Sequence, residues 1–363
     1  MSDVVISGYY GFRNNGDDAL LMSIIEDLKS KKPDIDIVVL SKNPKETERI
    51  YKVKAVSREN VFSVFAELAG TKMLISGGGT LMQDGTSTKS LLYYLWIIRL
   101  ALMLGKKVML YANGIGPLHS ARNKARARSV LNKVDLITLR DMASYDELAG
   151  LGVNKPVIKV TADPAFRLEP GEAAFENTDI PGDKPLMCVS VREWKYARGD
   201  FEEVISAACD YAAEKYGMHT VFLPMQPQAD SEITARISAK MNSDSTVIGA
   251  DYDIEKLLGM FGKMTMCIGM RLHTLIYSAV ACVPLVGIVY DPKVSGFLDY
   301  IGMDNYCDVT KLTFDGLKAA VDRCMADYDV QKAELAQKRA GLREKAKQNA
   351  ELAIRLLSGG DVR

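Results

Sequence analysis

The chain has 363 residues, with 46 Lys and Arg balanced by 46 Asp and Glu, and its apolar fraction is 48%. This length exceeds the size at which one hydrophobic core stops growing, so we expect two domains with a cleft between them. The balanced charge argues against a nucleic-acid partner, because it lacks a general basic field. The six cysteines are widely spaced, without a zinc or redox motif, as is typical of buried thiols in a reducing cytosol.

The sequence predicts residence in the cytoplasm. The first apolar run contains Asp3 and lacks the basic segment and cleavage site of a signal peptide. The most apolar stretch, Leu91 to Leu104, is interrupted by Arg99 and is shorter than the roughly 20 residues that a membrane span needs. We expect a buried helix there, and peripheral contact with the inner face of the cytoplasmic membrane remains open.

Strands and helices alternate through the first half of the chain, which is the pattern of a parallel sheet covered by helices on both faces. The predicted elements are strands at Val4–Ile6, Ile35–Leu40, Lys72–Ile75, Val108–Tyr111 and Leu136–Thr138, and helices from Asp18 to Lys31, ending at Gly105, from Arg122 to Asn132 and from Met142 to Ala149.

Between Leu168 and Lys184 the sequence becomes acidic and turn-forming, which indicates a domain boundary. After it the strand and helix alternation resumes. We predict two doubly wound Rossmann-like α/β domains facing across a cleft. Their bounds are 1–168 for the N-terminal domain, 169–184 for a linker, 185–328 for the C-terminal domain and 329–363 for a terminal helix that crosses back over the first domain.

Nearly all unusual polar and glycine-rich motifs follow the carboxyl end of a predicted strand, which is the edge where open α/β sheets bind ligands. In the first half these motifs are Gly8 to Asp18, Ser76 to Thr80, Asn113 to Pro117 and Arg140-Asp141. In the second half they are Arg192 with Trp194, Gln226, Arg271 with His273, and Asp291 to Lys293.

Arg271 and His273 are placed on a strand-to-helix turn, where free backbone N–H groups favour an anion. A cation and a titratable imidazole at such a turn suggest chemistry, although a core histidine beside a surface arginine would give the same pattern. The turn at Gly77, Gly78 and Gly79 could bring backbone N–H groups close to a phosphate, or could simply be tight. Asp17 and Asp18 could act in proton transfer, or cap the following helix.

In their order along the chain, these motifs resemble the polysaccharide pyruvyl transferase family, most closely its CsaB type. The residues that carry the resemblance are Gly8 to Ala19, Ser76 to Thr80, Asn113 to Pro117, Leu139 to Asp141, Gly269 to His273 and Tyr290 to Lys293. The resemblance covers about residues 4 to 302. It implies a GT-B-like fold and transfer of pyruvate from phosphoenolpyruvate to a sugar as a cyclic ketal.

For the CsaB type, the resemblance implies a lipid-linked cell-wall precursor containing N-acetylmannosamine as acceptor, and a product that anchors S-layer proteins. It implies that Arg140, Arg271, His273 and Lys293 bind phosphoenolpyruvate, and that Asp17 is the catalytic acidic residue, with Asp18 as the alternate. His273 is also a candidate for proton transfer to phosphate. Further candidates for substrate binding are Gly77, Gly78, Gly79, Asn15, Asp18 and Arg192. We expect neither a metal nor a cofactor, because arginine and lysine can neutralise the donor.

Two other functions fit the same residues. A sugar-nucleotide glycosyltransferase of GT-B architecture would also need a basic site at this edge, since fold does not fix function. A glycan-binding protein without catalysis would keep the fold and aromatic side chains for stacking on a sugar. Release of phosphate from phosphoenolpyruvate, or of a nucleotide from a sugar nucleotide, distinguishes the two enzymes.

Overall fold

The structure is a computed structural model that describes residues 2–85, 87–172, 175, 180–249 and 253–362. Contacts divide the chain into two units. Unit 1 comprises Met1–Arg167 together with Leu342–Arg363, and unit 2 comprises Leu168–Gly341. Both units are parallel α/β sheets with helical connections, as the alternating pattern predicts. The predicted linker at 169–184 lies partly outside the described residues, and its described start belongs to unit 2.

Unit 1 is built on a parallel sheet of seven strands. The strands are β1 Ser2–Ser7, β2 Ile37–Ser41, β3 Lys54–Ser57, β4 Thr71–Gly77, β5 Lys107–Asn113, β6 Leu136–Leu139 and β7 Val157–Val160. Their order is β3-β2-β1-β4-β5-β6-β7, so the direction of winding reverses between β1 and β4. Strands β1 and β2 are buried along their whole length, as continuous apolar runs in parallel sheets require.

Helices cover both faces of this sheet. They are α1 Asn15–Lys31, α2 Pro44–Tyr51, α3 Val61–Ala69, α4 Thr88–Met103, α5 Ala121–Leu131 and α6 Met142–Gly150, followed by a 3₁₀ turn at Pro164–Arg167. Side chains of α3, α4, α5 and α6 form one core with the sheet. Those of α1 form a second core on the other face, together with residues 350–356 near the C-terminus.

Unit 2 is built on a parallel sheet of six strands. The strands are β8 Leu186–Ser190, β9 His219–Phe222, β10 Ser245–Val247, β11 Met266–Gly269, β12 Leu285–Val289 and β13 Tyr306–Asp308. Their order is β10-β9-β8-β11-β12-β13, so the winding reverses between β8 and β11. In both sheets the ligand-binding crevice of this architecture lies at the carboxyl ends of the strands beside that reversal.

The helices of unit 2 are α7 Phe201–Tyr216, α8 Pro227–Lys240, α9 Ile254–Phe261, α10 Leu272–Val280, α11 Pro292–Ile301, α12 Phe314–Ala326 and the first part of α13 Tyr328–Leu357. The part of α13 from Leu342 onward belongs to unit 1. Within unit 1, buried Asn349 accepts a hydrogen bond from Thr161 Oγ1 at 2.7 Å and donates to the Ala162 carbonyl at 3.2 Å.

Several elements differ from the sequence prediction. Helix α1 begins at Asn15 rather than Asp18, and α4 ends at Met103 rather than Gly105. The sequence analysis missed α2, β3 and α3, which lie between Pro44 and Ala69. Helix α3 was difficult to identify because it exposes Val61, Phe62 and Phe65 and therefore lacks the polar outer face of an ordinary surface helix.

Candidate active site

In unit 1, the first turn of α1 places Asp17 beside the glycine-rich turn after β4. The Asn14 side chain caps α1 by accepting from the Gly16 N–H at 3.1 Å, and Asn15 is the first helical residue. Asp17 lies so close to Gly79 that a Cβ added to Gly79 would be 3.0 Å from Asp17 Oδ1. The carboxylate of Asp17 and the glycine backbone therefore lie together where the winding of the sheet reverses, between β1 and β4.

The turn at Gly77 to Gly79 is held by hydrogen bonds from its neighbours. Gly78 and Gly79 have φ angles of +61° and +69°, a region that glycine occupies without strain. The Gly78 N–H donates to the Tyr111 carbonyl at 2.9 Å, and the Gly79 carbonyl accepts from the Gly114 N–H at 2.9 Å. Tyr10 Oη donates to the Gly77 carbonyl at 2.7 Å. The turn is thus rigid before any ligand binds.

The loop from Gly8 to Asn14 is also fixed, by an arginine among aromatic rings. Arg58 donates to the Gly8 carbonyl at 2.9 Å and lies 5.2 Å from the ring centroid of Phe12 and 4.4 Å from that of Tyr93. Phe12 stacks on Tyr9, with ring centroids 4.0 Å apart. Cation–π and stacking contacts of this kind hold the loop in a defined position.

Arg140 follows β6 at the same edge, but its side chain is only 5% exposed and is surrounded by protein partners. It donates to Thr80 Oγ1 at 2.9 Å, to Asp141 at 3.3 Å and to Asp163 at 3.4 Å. It also packs against Gly114, where an added Cβ would lie 2.9 Å from Arg140 Nη2. Its charge is therefore largely balanced inside unit 1. A role in binding phosphoenolpyruvate stays a prediction.

The two acidic residues of α1 have different surroundings. Burial is the largest cause that raises the pKa of the Asp18 carboxyl, and nearby Glu46 adds to it. Tyr51 and Arg13 act in the opposite direction, and the resulting pKa is about 7. A carboxyl group with such a pKa exchanges protons near neutrality, as a general acid or base must. Asp17 has the position beside the glycine-rich turn, and Asp18 has the shifted pKa. The choice between them as catalytic residue stays open.

In unit 2, Arg271 occupies the residue position just before α10, and its side chain is held by a buried carboxylate. Arg271 Nε donates to Asp230 Oδ2 at 3.0 Å and Nη2 donates to Asp230 Oδ1, while Asp230 has no exposed surface. Nη2 also approaches Gln226 Oε1 at 3.4 Å. Because Asp230 occupies the Nε and Nη2 edge of the guanidinium, a ligand would meet Arg271 from the Nη1 side.

Two further cations of unit 2 lie near one aromatic ring. Arg192 Nη1 donates to Tyr290 Oη at 3.3 Å, and its guanidinium carbon lies 5.1 Å from the ring centroid of Tyr290. Lys293 Nζ lies 5.5 Å from the same centroid and 3.8 Å from Asp291 Oδ2. Trp194 packs against Tyr290 with ring centroids 4.8 Å apart. Among the described residues, Arg192 forms no ion pair and Lys293 approaches a carboxylate at 3.8 Å.

His273 lies in the first turn of α10 and is half-buried. Its ring centroid is 6.1 Å from that of Tyr277 on the next turn, and Tyr277 packs in turn on Phe261 at 5.5 Å. By contrast, His219 begins β9 at the opposite edge of the sheet and pairs its Nε2 with Thr246 Oγ1 at 2.8 Å. His273 is thus the histidine of unit 2 that lies at the carboxyl edge.

Within unit 2, the predicted residues Arg192, Arg271, His273 and Lys293 follow three neighbouring strands, β8, β11 and β12. Within unit 1, Asn15, Asp17, Asp18, Gly77, Gly78, Gly79 and Arg140 follow β1, β4 and β6. Asp230 and Tyr290 are site residues that were not predicted from the sequence. Asp230 is 41 residues away from Arg271 in the chain, so nothing local indicates the pair. Tyr290 adjoins the Asp291–Lys293 motif, which was a usable signal.

The described residues offer neither a metal-binding cluster nor a membrane-spanning helix. They contain no group of three or more His, Cys, Asp or Glu side chains arranged to hold a metal ion. Among the helices they form, none is long and apolar enough to cross a bilayer.

Solved structures of three enzymes are similar over nearly the whole chain. A candidate UDP-N-acetylglucosamine 2-epimerase from Listeria monocytogenes has a TM-score of 0.70 and 12% identity, and the match covers 100% of this chain and 98% of that one. A glycosyltransferase from Rickettsia africae has a TM-score of 0.64 and 12% identity over 99% and 98%. HepE from Anabaena, solved with UDP and glucose, has a TM-score of 0.63 and 11% identity, and the match covers 99% of this chain and 100% of that one. These likenesses show a GT-B-like fold.

Sequence comparison adds the family. The amylovoran biosynthesis protein AmsJ from Erwinia amylovora is 21% identical over 385 residues, covering 90% of this chain and 92% of its own length. The model of the family described as polysaccharide pyruvyl transferase matches residues 14–292, which include every candidate residue except Lys293. The order of motifs along the sequence predicts the same family. The chain therefore belongs to the polysaccharide pyruvyl transferase family.

Proposed function

We propose that this protein transfers pyruvate from phosphoenolpyruvate to two hydroxyls of one sugar, forming a cyclic ketal and releasing phosphate. The observation that carries the proposal is the group of Arg192, Arg271, His273 and Lys293 at the carboxyl ends of β8, β11 and β12, in a chain of this family. Phosphoenolpyruvate joins a phosphate and a carboxylate in a compact anion, so its site needs several fixed cations.

The cations have different tasks in this proposal. Arg271 is oriented by Asp230, which leaves the Nη1 side of the guanidinium to hydrogen-bond a phosphate or carboxylate. Lys293 and Arg192, both near the Tyr290 ring, add charge, and neither has a close carboxylate among the described residues. The start of α10, where Arg271 and His273 lie, adds backbone N–H groups and the positive end of the helix dipole. Arg140 of unit 1 is retained as a further predicted ligand.

The reaction needs two proton transfers. The methylene carbon of phosphoenolpyruvate gains a proton, and the first sugar hydroxyl forms a C–O bond to the central carbon as it loses its own proton. The C–O bond to phosphate then breaks, the second hydroxyl attacks the same carbon, and its proton leaves with the phosphate. We assign the proton transfer to phosphate to His273. We assign the proton transfer at the acceptor hydroxyl or at the methylene carbon to Asp17 or Asp18. No cofactor enters this sequence, and phosphoenolpyruvate is a co-substrate.

For the acceptor we propose a lipid-linked precursor of a cell-wall polysaccharide that contains N-acetylmannosamine, and a role of the product in anchoring S-layer proteins. The motif resemblance to the CsaB type supports this choice. The 21% identical relative named for amylovoran biosynthesis supports a polysaccharide acceptor in general. The exposed aromatic Tyr196 and the fixed loop from Gly8 to Asn14 supply rings on which a pyranose could stack.

The test incubates the protein with phosphoenolpyruvate and a synthetic lipid-linked disaccharide that contains N-acetylmannosamine. We expect phosphate release and a product whose mass rises by one pyruvate ketal. His273→Ala should lower the rate by roughly 10²–10⁴-fold, as loss of a general acid or base does. Arg271→Lys should raise the KM for phosphoenolpyruvate, because lysine cannot form the two-bond contact with Asp230 that orients the cation.

The matched control is His219→Gln, which changes a histidine at the opposite edge of the same sheet and keeps a partner for Thr246. It should leave the rate near that of the wild type.

Release of UDP from UDP-N-acetylglucosamine, with no phosphate released from phosphoenolpyruvate, would identify a glycosyltransferase and overturn the proposal. Binding of the glycan with no turnover of any donor would identify a glycan-binding protein.

A further inference from the structure

Three neighbouring helices on one face of the unit 1 sheet expose apolar and basic side chains together. Helices α3, α4 and α5 bury their inner sides in a single core, to which Val64, Leu95 and Val130 contribute. Their outer sides carry Val61, Phe62, Phe65, Lys89, Leu92, Arg99, Met103, Arg122, Lys124, Arg126 and Arg128, and we call this surface the α3–α5 face. Nothing in the proposed reaction uses it.

The apolar part of the α3–α5 face is large and strongly exposed. On α3, Phe62 is 87% exposed, Val61 56% and Phe65 49%. Ala66 and Ala69 are the remaining exposed residues of this helix, so its outer side carries no charge. On α4, Met103 is 72% exposed. Scattered surface hydrophobic residues need no explanation, but three on one helix of nine residues favour a site of interaction.

The outer side of α4 combines both kinds of side chain in one stripe. Exposed or half-exposed Lys89, Leu92, Trp96, Arg99 and Met103 recur every three or four residues, which places them along one side of the helix. The stripe contains two cations, three large apolar groups and no acidic residue. Such a mixture is typical of helices that lie in the interface of a bilayer.

The charge of the three helices is one-sided, although the whole chain has 46 basic and 46 acidic residues. Their only acidic residue is Glu67, whose carboxylate pairs with Lys54 at 2.5 Å. None of their basic residues forms an ion pair with any other described residue, and these are Lys89, Arg99, Arg122, Lys124, Arg126 and Arg128. A set of unpaired cations beside apolar side chains complements a surface that is both anionic and apolar.

We propose that the α3–α5 face binds the surface of a bilayer that contains anionic phospholipids. The aromatic and aliphatic side chains enter the boundary between headgroups and acyl chains, and the cations contact lipid phosphates. A second copy of the chain is a poorer occupant, because a symmetric dimer would bring the six cations of one copy against those of the other. A soluble nucleic acid would use the cations but would leave Phe62 and Met103 exposed.

The position of this surface suits a lipid-linked acceptor. Helices α3, α4 and α5 follow β3, β4 and β5, so each begins at the carboxyl edge, where Asp17 and the glycine-rich turn also lie. A bilayer in contact with the α3–α5 face would therefore lie beside this edge. Membrane binding itself rests on exposure and charge, whereas its use in presenting an acceptor rests on the proposed function.

The experiment measures co-sedimentation of the protein with vesicles of phosphatidylcholine alone or mixed with phosphatidylglycerol. We expect binding to the mixed vesicles that weakens as salt is raised to about 0.5 M, where surface charges are screened. Arg122→Glu with Lys124→Glu should lower the partition coefficient by at least about tenfold, since each cation near an anionic membrane contributes. Phe62→Ser with Phe65→Ser should also lower it about tenfold, through lost apolar burial.

Matched controls lie in unit 2, where Val330 is 60% exposed and Lys256 is exposed on α9. Val330→Ser and Lys256→Glu should bind vesicles as the wild type does. All variants should retain wild-type turnover of phosphoenolpyruvate with a water-soluble acceptor, so a failure of membrane binding is distinguishable from a failure of the proposed reaction.

Three results would overturn the proposal. The first is no binding of the wild type to mixed vesicles. The second is equal binding of the wild type and the face variants. The third is a different occupant: either a dimer in solution that Phe62→Ser dissociates, or binding to a single-stranded oligonucleotide that depends on Arg122 and Lys124 but not on Phe62.

Discussion

Asp17 and Asp18 are adjacent in the chain, yet they face different surroundings. Asp17 contacts the glycine-rich turn, whereas Asp18 is turned toward Tyr51 and Glu46 and has a pKa of about 7. Helical geometry separates neighbouring side chains by about 100°, so one turn can offer a carboxylate in the site and a proton-exchanging group beside it. Sequence alone could place both at the start of a helix but could not assign these environments.

Asp18 makes a pH-dependent contribution to stability. Its pKa of about 7 in the folded state lies above the ordinary aspartate value of 3.8, so the folded state holds the proton more tightly than the unfolded state. Stability is therefore lost as pH rises between these values, and the penalty is complete above pH 7. Asp18→Asn should stabilise the protein by about 1–2 kcal/mol at pH 8, less than the full shift implies because solvent screens the half-buried carboxyl.

Thermal unfolding of both proteins at pH 4 and pH 8 measures this effect, and the difference should disappear at pH 4. Asp34→Asn is the control with the opposite sign, because Lys32 lowers the pKa of Asp34. Loss of the Asp34 charge should slightly lower the stability of the protein at pH 8. An Asp18→Asn variant with equal stability gains at both pH values would contradict the linkage.

The pair of Arg271 and Asp230 offers a test of burial. Asp230→Asn should lower the free energy of unfolding by about 3 kcal/mol, because a mostly buried guanidinium would lose its counter-charge. Arg198 and Asp200 form a similar two-bond pair, but their side chains are 43% and 46% exposed. Asp200→Asn should therefore cost much less, because solvent screens an exposed pair. Denaturant unfolding compares the two variants, and similar losses would show that burial does not decide the cost.

At the scale of elements, two glycines with the same φ angle distinguish the effect of backbone strain from the effect of displacing Asp17. Gly79 and Gly105 both have a φ of +69°, but an added Cβ meets Asp17 Oδ1 at 3.0 Å in the first and nothing within 4 Å in the second. Gly79→Ala and Gly105→Ala should each cost about 1–2 kcal/mol of stability. Only Gly79→Ala should also lower kcat, by displacing Asp17.

Steady-state kinetics with phosphoenolpyruvate and the acceptor provide the measurement. If the Gly79→Ala and Gly105→Ala enzymes have the same kcat, the proposed role of Asp17 in the reaction is contradicted. An unchanged KM for phosphoenolpyruvate in both variants would support the assignment of donor binding to the cations of unit 2.

The sequence predicted elements where one physical signal was dominant. Continuous apolar runs such as Met73 to Ile75 marked the central strands, because a strand covered on both faces must be apolar throughout. Helix α3 was missed because its exposed surface is apolar, so amphipathic periodicity could not distinguish it from a strand or a loop. The proposed use of this surface explains why the ordinary pattern fails there.

At the scale of the whole molecule, unit 1 includes a segment from the end of the chain. Asn349 is completely buried and bonds to Thr161, Ala162 and Ala346, so it joins α13 to the region after β7. Asn349→Ala should destabilise unit 1 by about 2 kcal/mol, because buried polar partners lose their hydrogen bonds. Lys347→Ala, on the same helix but 39% exposed at its side chain, should have no effect.

The two tryptophans allow each unit to be followed separately, since Trp96 lies in unit 1 and Trp194 in unit 2. Fluorescence-detected unfolding of the Trp194→Phe protein reports unit 1, and that of Trp96→Phe reports unit 2. Asn349→Ala should lower the midpoint of the unit 1 signal more than that of unit 2. Equal shifts of both signals would show that the units unfold as one.

The sequence by itself determined the two α/β sheets, the parallel winding, the family and the edge at which the candidate residues lie. These features follow from local periodicity and from the rule that parallel strands all end at the same edge. Only the tertiary structure decided that Asp230 holds Arg271, that three carboxyl and hydroxyl partners surround Arg140, and that two cations lie near the Tyr290 ring. Those contacts join residues far apart in the chain, and their energies depend on burial, which side-chain types alone do not specify.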